Sequence, residues 1–113
     1  LDFYLTLYPE ASIPMKLKEQ KFKHWKPGNS FEGWHCEVNN KINMSRILNF
    51  MIYLSSHNCG TQFFDKKIIL SEVGKLVMFP SYFTHTHRGQ ACPDKKDRYI
   101  LSGYFNLTNE GDI

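Results

Sequence analysis

RILNFMIYLSS, residues 46–56, is the stretch on which the fold turns. From Ile47 to Leu54 only Asn49 interrupts the apolar run, and Asn58 to Gly60 close it. Such a run is too continuously apolar for a solvated edge and reads as a strand.

On either side of it the chain breaks into similar pieces. KEQKFKHWK alternates and ends at Pro27-Gly28-Asn29-Ser30, a strong turn signal. FEGWHCEV follows as a strand candidate that Asn39-Asn40-Lys41 stops. Downstream come TQFF, KKIIL, KLVMFP, YFTHTHRG and RYILSGYFNL, separated by turns or by the polar loop QACPDKKD. LDFYLTLY at the start fits a strand or a short helix, and Pro9 and Pro14 interrupt the chain between it and KEQKFKHWK. About eight short strands at roughly 8–12-residue spacing predict an all-β sandwich or barrel.

The 113 residues suit a single domain with one core. Nine Phe, six Tyr and two Trp suit strands and a filled interior. No apolar run approaches the roughly 20 residues that span a bilayer, so no membrane partner is expected. The start lacks the basic region and cleavage site of a signal peptide and has no initiator Met. Three Cys, at 36, 59 and 92, follow no CxxC spacing. The odd count argues against a disulfide framework and for a reducing, cytoplasmic setting.

Net charge is +3, with Lys16, Lys18, Lys21, Lys23 and Lys26 clustered. So modest a charge reads as the solvated face of an edge strand guarding against edge pairing, not as a nucleic-acid footprint.

His35-x-Glu37 is the first chemical signal. Two residues apart on a strand, both side chains face one way, with backbones about 6.6 Å apart. An imidazole and a carboxylate can then converge on one ion. FTHTHRG can supply a second imidazole, giving the two-His, one-carboxylate facial triad of non-haem Fe(II) oxygenases. His85 and His87 share a face on a regular strand, so periodicity does not choose between them. His24 and His57 fit no ligand pattern and read as surface, while the cysteines read as packed or loop thiols.

FKHWKPGNSFEGWHCE, ILNFMIYL, CGTQFF, GKLVMFPSYFTHTHRG and DRYILSGYF, taken in order, resemble the iron(II)- and 2-oxoglutarate-dependent oxygenases. The likeness is to the prolyl-4-hydroxylase-like branch and runs from about Lys18 to Phe105. It implies a double-stranded β-helix, or jelly roll, with little helix. Residues 1–113 would form one domain, with 18–105 as its core and 1–17 as a covering segment.

The resemblance also implies Fe(II), 2-oxoglutarate and O2 as cofactor and co-substrates, and a small-molecule or peptide substrate. The distal His of the family falls eight residues after the Phe79 position, at His87, leaving His85 to line the cavity. Arg98 would hold the far carboxylate of 2-oxoglutarate, with Tyr53 and Ser102 adding hydroxyls. The acid is Glu37, where the family more often has Asp, so the ion or the strand must shift. The family's usual covering helices exceed what 1–17 can supply. The exposed apolar face around Trp34 therefore predicts a homo-oligomer or further chain upstream.

Two other readings fit the residues less fully. One is a cupin-like metalloenzyme that has no use for Arg98. The other is a non-catalytic β-sandwich binding module.

Overall fold

The computed structural model describes residues 1–27, 33–38, 40–41, 43–90, 93–94 and 96–108. The expected turn at 28–30, the start of FEGWHCEV, and Asn39 and Cys92 lie outside them.

Among the described residues seven strands form two antiparallel sheets. They are β1 (Met15–Trp25), β2 (Arg46–Tyr53), β3 (Gly60–Phe63), β4 (Ile68–Leu70), β5 (Leu76–Pro80), β6 (His87–Gly89) and β7 (Arg98–Leu107). One sheet runs β1-β7-β2-β5 and the other β4-β3-β6. This is the expected jelly roll.

β2 sits inside its sheet between β7 and β5, which explains its unbroken apolar character. Met51, Tyr53, Phe79 and Ile100 form the core between the sheets, with Trp25, Phe63, Ile69 and Val77 packed around them. At Gly60 the chain passes so close to β4 that an added Cβ would lie 1.8 Å from the Ile69 carbonyl oxygen. The position therefore requires glycine.

LDFYLTL resolves to a short helix, α1 (Asp2–Leu7), which buries none of its own residues. Tyr4, Tyr8 and Ile13 share a groove with Ile47 and Leu48 of β2. Trp34 is 43% exposed, beside Phe64 and under the Arg88 guanidinium.

Several expectations need correction. Among the described residues of FEGWHCEV there is no ladder: His35 makes one isolated bridge, to His87. YFTHTHRG is not one strand, because a 3-10 turn at Phe83–His85 precedes β6. β1 is an edge strand as expected, and Lys21 is exposed, yet both it and the half-buried Lys23 line the space between the sheets.

His57 is buried, not a surface residue. Its Nε2 meets Ser55 Oγ at 2.7 Å and its Nδ1 meets Asp94 Oδ2 at 2.9 Å. Ser55 Oγ also accepts the Tyr99 N–H, so the group ties the end of β2 to the segment entering β7. His24 is exposed as expected and stacks on Tyr99.

Cys59 is disulfide-bonded, while Cys36 keeps a free thiol. This overturns the expectation of unpaired thiols throughout, and with it the argument for a reducing compartment. No helix among the described residues is long and apolar enough to cross a membrane.

Candidate functional site

His35 and His87 come from distant parts of the chain and are locked together by backbone. Each donates its N–H to the other's carbonyl at 2.9 Å. β6 is held in turn by β3, through Phe63↔His87 and Thr61↔Gly89. The Glu37 and Val38 N–H groups both reach the Ser81 carbonyl, each at 3.0 Å, which fixes the bend that carries the carboxylate.

Side-chain orientation is set by the second ring nitrogens. His35 Nδ1 donates to the Gly33 carbonyl at 3.1 Å, and His87 Nδ1 donates to the His85 carbonyl at 2.9 Å. A carbonyl can only accept, so in the neutral rings both protons sit on Nδ1 and both Nε2 atoms carry the lone pair. Those Nε2 atoms face one oxygen, Glu37 Oε1, at 3.5 Å and 3.2 Å. The three donor atoms lie within 4.8 Å of one another.

The donor set is two imidazoles and one carboxylate, borderline nitrogen with hard oxygen, and it fits Fe(II). The expected convergence of His35, Glu37 and His87 therefore occurs, although not by strand alternation. The extra methylene of Glu37 is accommodated because its segment leaves the sheet at a single bridge.

Electrostatics tighten the cluster. Burial opposes ionisation of Glu37, but the His35 and His87 hydrogen bonds and charges outweigh it and hold the carboxyl well below its usual range. The Glu37 hydrogen bond raises the His35 pKa, burial opposes this, and the Gly33 carbonyl adds to it. Two further donors hold Glu37 from behind. Tyr104 Oη reaches Oε2 at 3.0 Å and Asn49 Nδ2 reaches Oε1 at 3.3 Å.

The cluster opens on a cavity of about 330 Å³ between the sheets. Arg98 lies in its wall, only 3% exposed, with its guanidinium 5.3 Å from the Trp25 ring centroid. Its Nη1 donates to the Gln90 carbonyl, whereas Nε has no partner. Ser102 Oγ and Asn49 Oδ1, from the same cavity wall, are also buried without partners. Unpaired buried polar atoms around a cavity suit a polar ligand that completes them.

Tyr53 is placed differently from expectation. It is fully buried and meets Thr61 Oγ1 at 2.8 Å, so Thr61 stands between it and the cavity. His85 does not line the metal cavity. It packs against Phe63 and Phe79 on the far side, and only its backbone carbonyl serves the site.

The sequence reading missed Tyr104, Asn49, Thr61, Lys21 and Lys23. A signal existed for some of them. Arg98, Ile100, Ser102 and Tyr104 share one face of β7 by alternation, and Asn49 is the one polar residue inside the ILNFMIYL run.

The model of the 2OG-Fe(II) oxygenase superfamily matches residues 21–106, most of the chain. The chain belongs to this superfamily. No curated protein matches it.

Among solved structures, a Pseudomonas putida prolyl-4-hydroxylase matches with a TM-score of 0.68 and 20% identity, over 80% of this chain and 54% of that one. The viral collagen prolyl hydroxylase of Paramecium Bursaria Chlorella virus-1, in a 2OG complex, matches with a TM-score of 0.76 and 14% identity. That match covers 96% of this chain and 69% of the viral one. A Phytophthora capsici prolyl 4-hydroxylase matches with a TM-score of 0.73 and 17% identity, over 95% of this chain and 39% of that one. At these identities the likeness establishes the jelly-roll fold. The oxygenase-superfamily chain spans about half the length of the Pseudomonas protein.

Proposed function

We propose that this chain is the catalytic jelly roll of a 2-oxoglutarate-dependent non-haem iron dioxygenase. The reaction would be R–H + O2 + 2-oxoglutarate → R–OH + succinate + CO2. The substrate would be a prolyl or other amino-acid or peptide side chain, as in the prolyl hydroxylases of the same fold. Residues 18–105 would form its core, with Met15–Leu17 extending β1, and the segment before β1 would lie beside β2 and β5.

The observation that carries this reading is the pairing of two features in one cavity. Two Nε2 lone pairs converge on the Glu37 carboxylate, and a buried guanidinium with an unpaired Nε stands in the same wall. His35, Glu37 and His87 would hold Fe(II), which supplies the oxidising chemistry once 2-oxoglutarate and O2 are present.

The rest is the work of the chain. Arg98 offers a planar fork to the far carboxylate of 2-oxoglutarate and stays charged despite burial, which pulls its pKa down from a very high starting point. Thr61 and Ser102 offer hydroxyls along the same wall, and Tyr53 orients Thr61 from behind. Met51 and Ile100 add apolar surface to the same cavity, which would help to keep water from the reacting carbon.

The test is anaerobic addition of Fe(II) and 2-oxoglutarate to the apo-protein, followed in the visible range. A weak charge-transfer band from a chelated keto acid is the expected result. Thermal melts run alongside should show stabilisation by about 2.7 kcal/mol at 100 times the dissociation constant. Metal binding without a band or a 2-oxoglutarate-dependent shift would overturn the reading.

A further inference from the structure

β1 turns alternate residues toward the cavity. Trp25 lies opposite Arg98, Lys23 opposite Ile100 and Lys21 opposite Ser102. An edge-guarding lysine points at solvent and needs no partner. Lys23 is instead half-buried and, with the exposed Lys21, lines the cavity that holds the triad, close enough to Glu37 and His35 to act electrostatically on both.

Among the described residues neither ammonium has a hydrogen bond or an ion pair. Glu19, farther along β1, is committed to Arg46 at 2.8 Å. Lys23, half-buried without a partner, loses hydration and gains nothing unless a ligand supplies the anion, and the exposed Lys21 lines the same cavity two residues away.

The proposed co-substrate does not supply it. 2-Oxoglutarate has two carboxylates, one for Arg98 and one for the metal. The filled cavity would still carry the positive charges of Lys21 and Lys23. Their position on β1 is also separated from the Arg98 end. Ser102, opposite Lys21, is four residues from Arg98 along β7, about 13 Å at the usual strand rise, and Ile100, opposite Lys23, is two residues, about 7 Å.

We propose that Lys21 and Lys23 form a second anion-binding position in the metal cavity, and that it receives a carboxylate of the primary substrate. The inference rests on the oxygenase reading and deepens it by naming the substrate class. The substrate is an acid, with its carboxylate near the carbon that is hydroxylated. A free amino acid and a peptide bearing an acidic side chain share this chemistry.

The experiment uses the anaerobic Fe(II) protein saturated with 2-oxoglutarate. The probes are the common free amino acids, each against its primary amide, and short blocked peptides containing Asp or Glu, each against the Asn or Gln peptide. Binding is read by thermal shift and by perturbation of the visible band. In the wild type, at least one acid should bind tenfold or more tighter than its amide. A free amino acid giving that preference identifies one source, and an acidic peptide the other. Lys21→Met and Lys23→Met should each reduce the preference to about twofold or less, Lys23→Arg should restore most of it, and 2-oxoglutarate affinity should change less than twofold.

An acid preference that survives both Met substitutions would overturn the proposal, as would a wild type that binds acids and amides equally. So would a tenfold loss of 2-oxoglutarate affinity in Lys23→Met with the acid preference intact, since the lysine would then serve the co-substrate. A wild type without any charge-transfer band sinks the oxygenase reading and this inference with it. A band without acid preference sinks only this inference.

Discussion

His35 and His87 exchange both backbone hydrogen bonds, each at 2.9 Å, although 52 residues separate them in the chain. In an antiparallel pair this places the two residues directly opposite, with side chains on the same face. One bridge therefore does what a whole strand was expected to do. It brings the two rings to 4.4 Å between centroids and aims both Nε2 atoms at Glu37.

The bridge decides between the two histidines of FTHTHRG. His87→Ala should weaken Fe(II) or Mn(II) binding by more than the roughly 10–100-fold that supporting partners of a ligand are worth. His85→Ala should leave affinity within about twofold, because its contribution is a backbone carbonyl that Ala retains. Metal titration by calorimetry separates the two, and equal losses would contradict the assignment.

Arg98 separates a 2-oxoglutarate enzyme from a metalloprotein without that co-substrate. Arg98→Met keeps most of the length of the side chain and removes its charge. Losing a charged hydrogen-bond pair costs about 1.5–3 kcal/mol, or roughly 10–150-fold in 2-oxoglutarate affinity. Metal affinity should be nearly unchanged, which two titrations on the same protein would establish.

Tyr104 acts on the metal only through Glu37. Tyr104→Phe removes the donor to Oε2, so the carboxylate loses one of its two supports from behind. Metal affinity should fall about tenfold with little change in melting temperature. An unchanged affinity would show that Asn49 alone suffices.

The pH dependence is governed by His35. Its pKa is raised above the ordinary 6.5, chiefly by the Glu37 hydrogen bond. A metal must displace that proton, so affinity should rise with pH until the raised value is passed and then level off. In the apo-protein the sign reverses. The stabilisation from protonated His35 is complete below 6.5 and is lost as pH rises through the folded-state pKa. Melting curves with and without metal, from about pH 5.5 to 8.5, should therefore diverge.

Gly60→Ala tests the contact between β3 and β4. The new methyl would meet the Ile69 carbonyl, and backbone cannot rotate away as a side chain can. A loss of about 1–3 kcal/mol is expected, seen as a lower midpoint in urea. A change under about 0.5 kcal/mol would mean that the strands separate easily there.

The strands were legible because their signals are local. RILNFMIY has no polar face to solvate, and it became β2, paired on both sides. RYILSGYFNL alternates, and it became β7 with Arg98 and Ser102 facing inward. His57 was misread because nothing nearby in sequence announces Asp94, its partner 37 residues away. Lys21 is exposed as expected, but the half-burial of Lys23 was missed because alternation tells that the two share a face, not whether that face meets water or a cavity.

Periodicity, turns and the order of chemical residue types are all written in the chain itself, and they suffice for a jelly roll carrying His35-x-Glu37 and a later histidine. Three things had to wait for the packed sheets: which histidine faces the carboxylate, that Thr61 stands before Tyr53, and that two edge-strand lysines line the cavity. Periodicity is a property of one segment, whereas a site is made by the register between segments, and register is set by pairings across the whole chain.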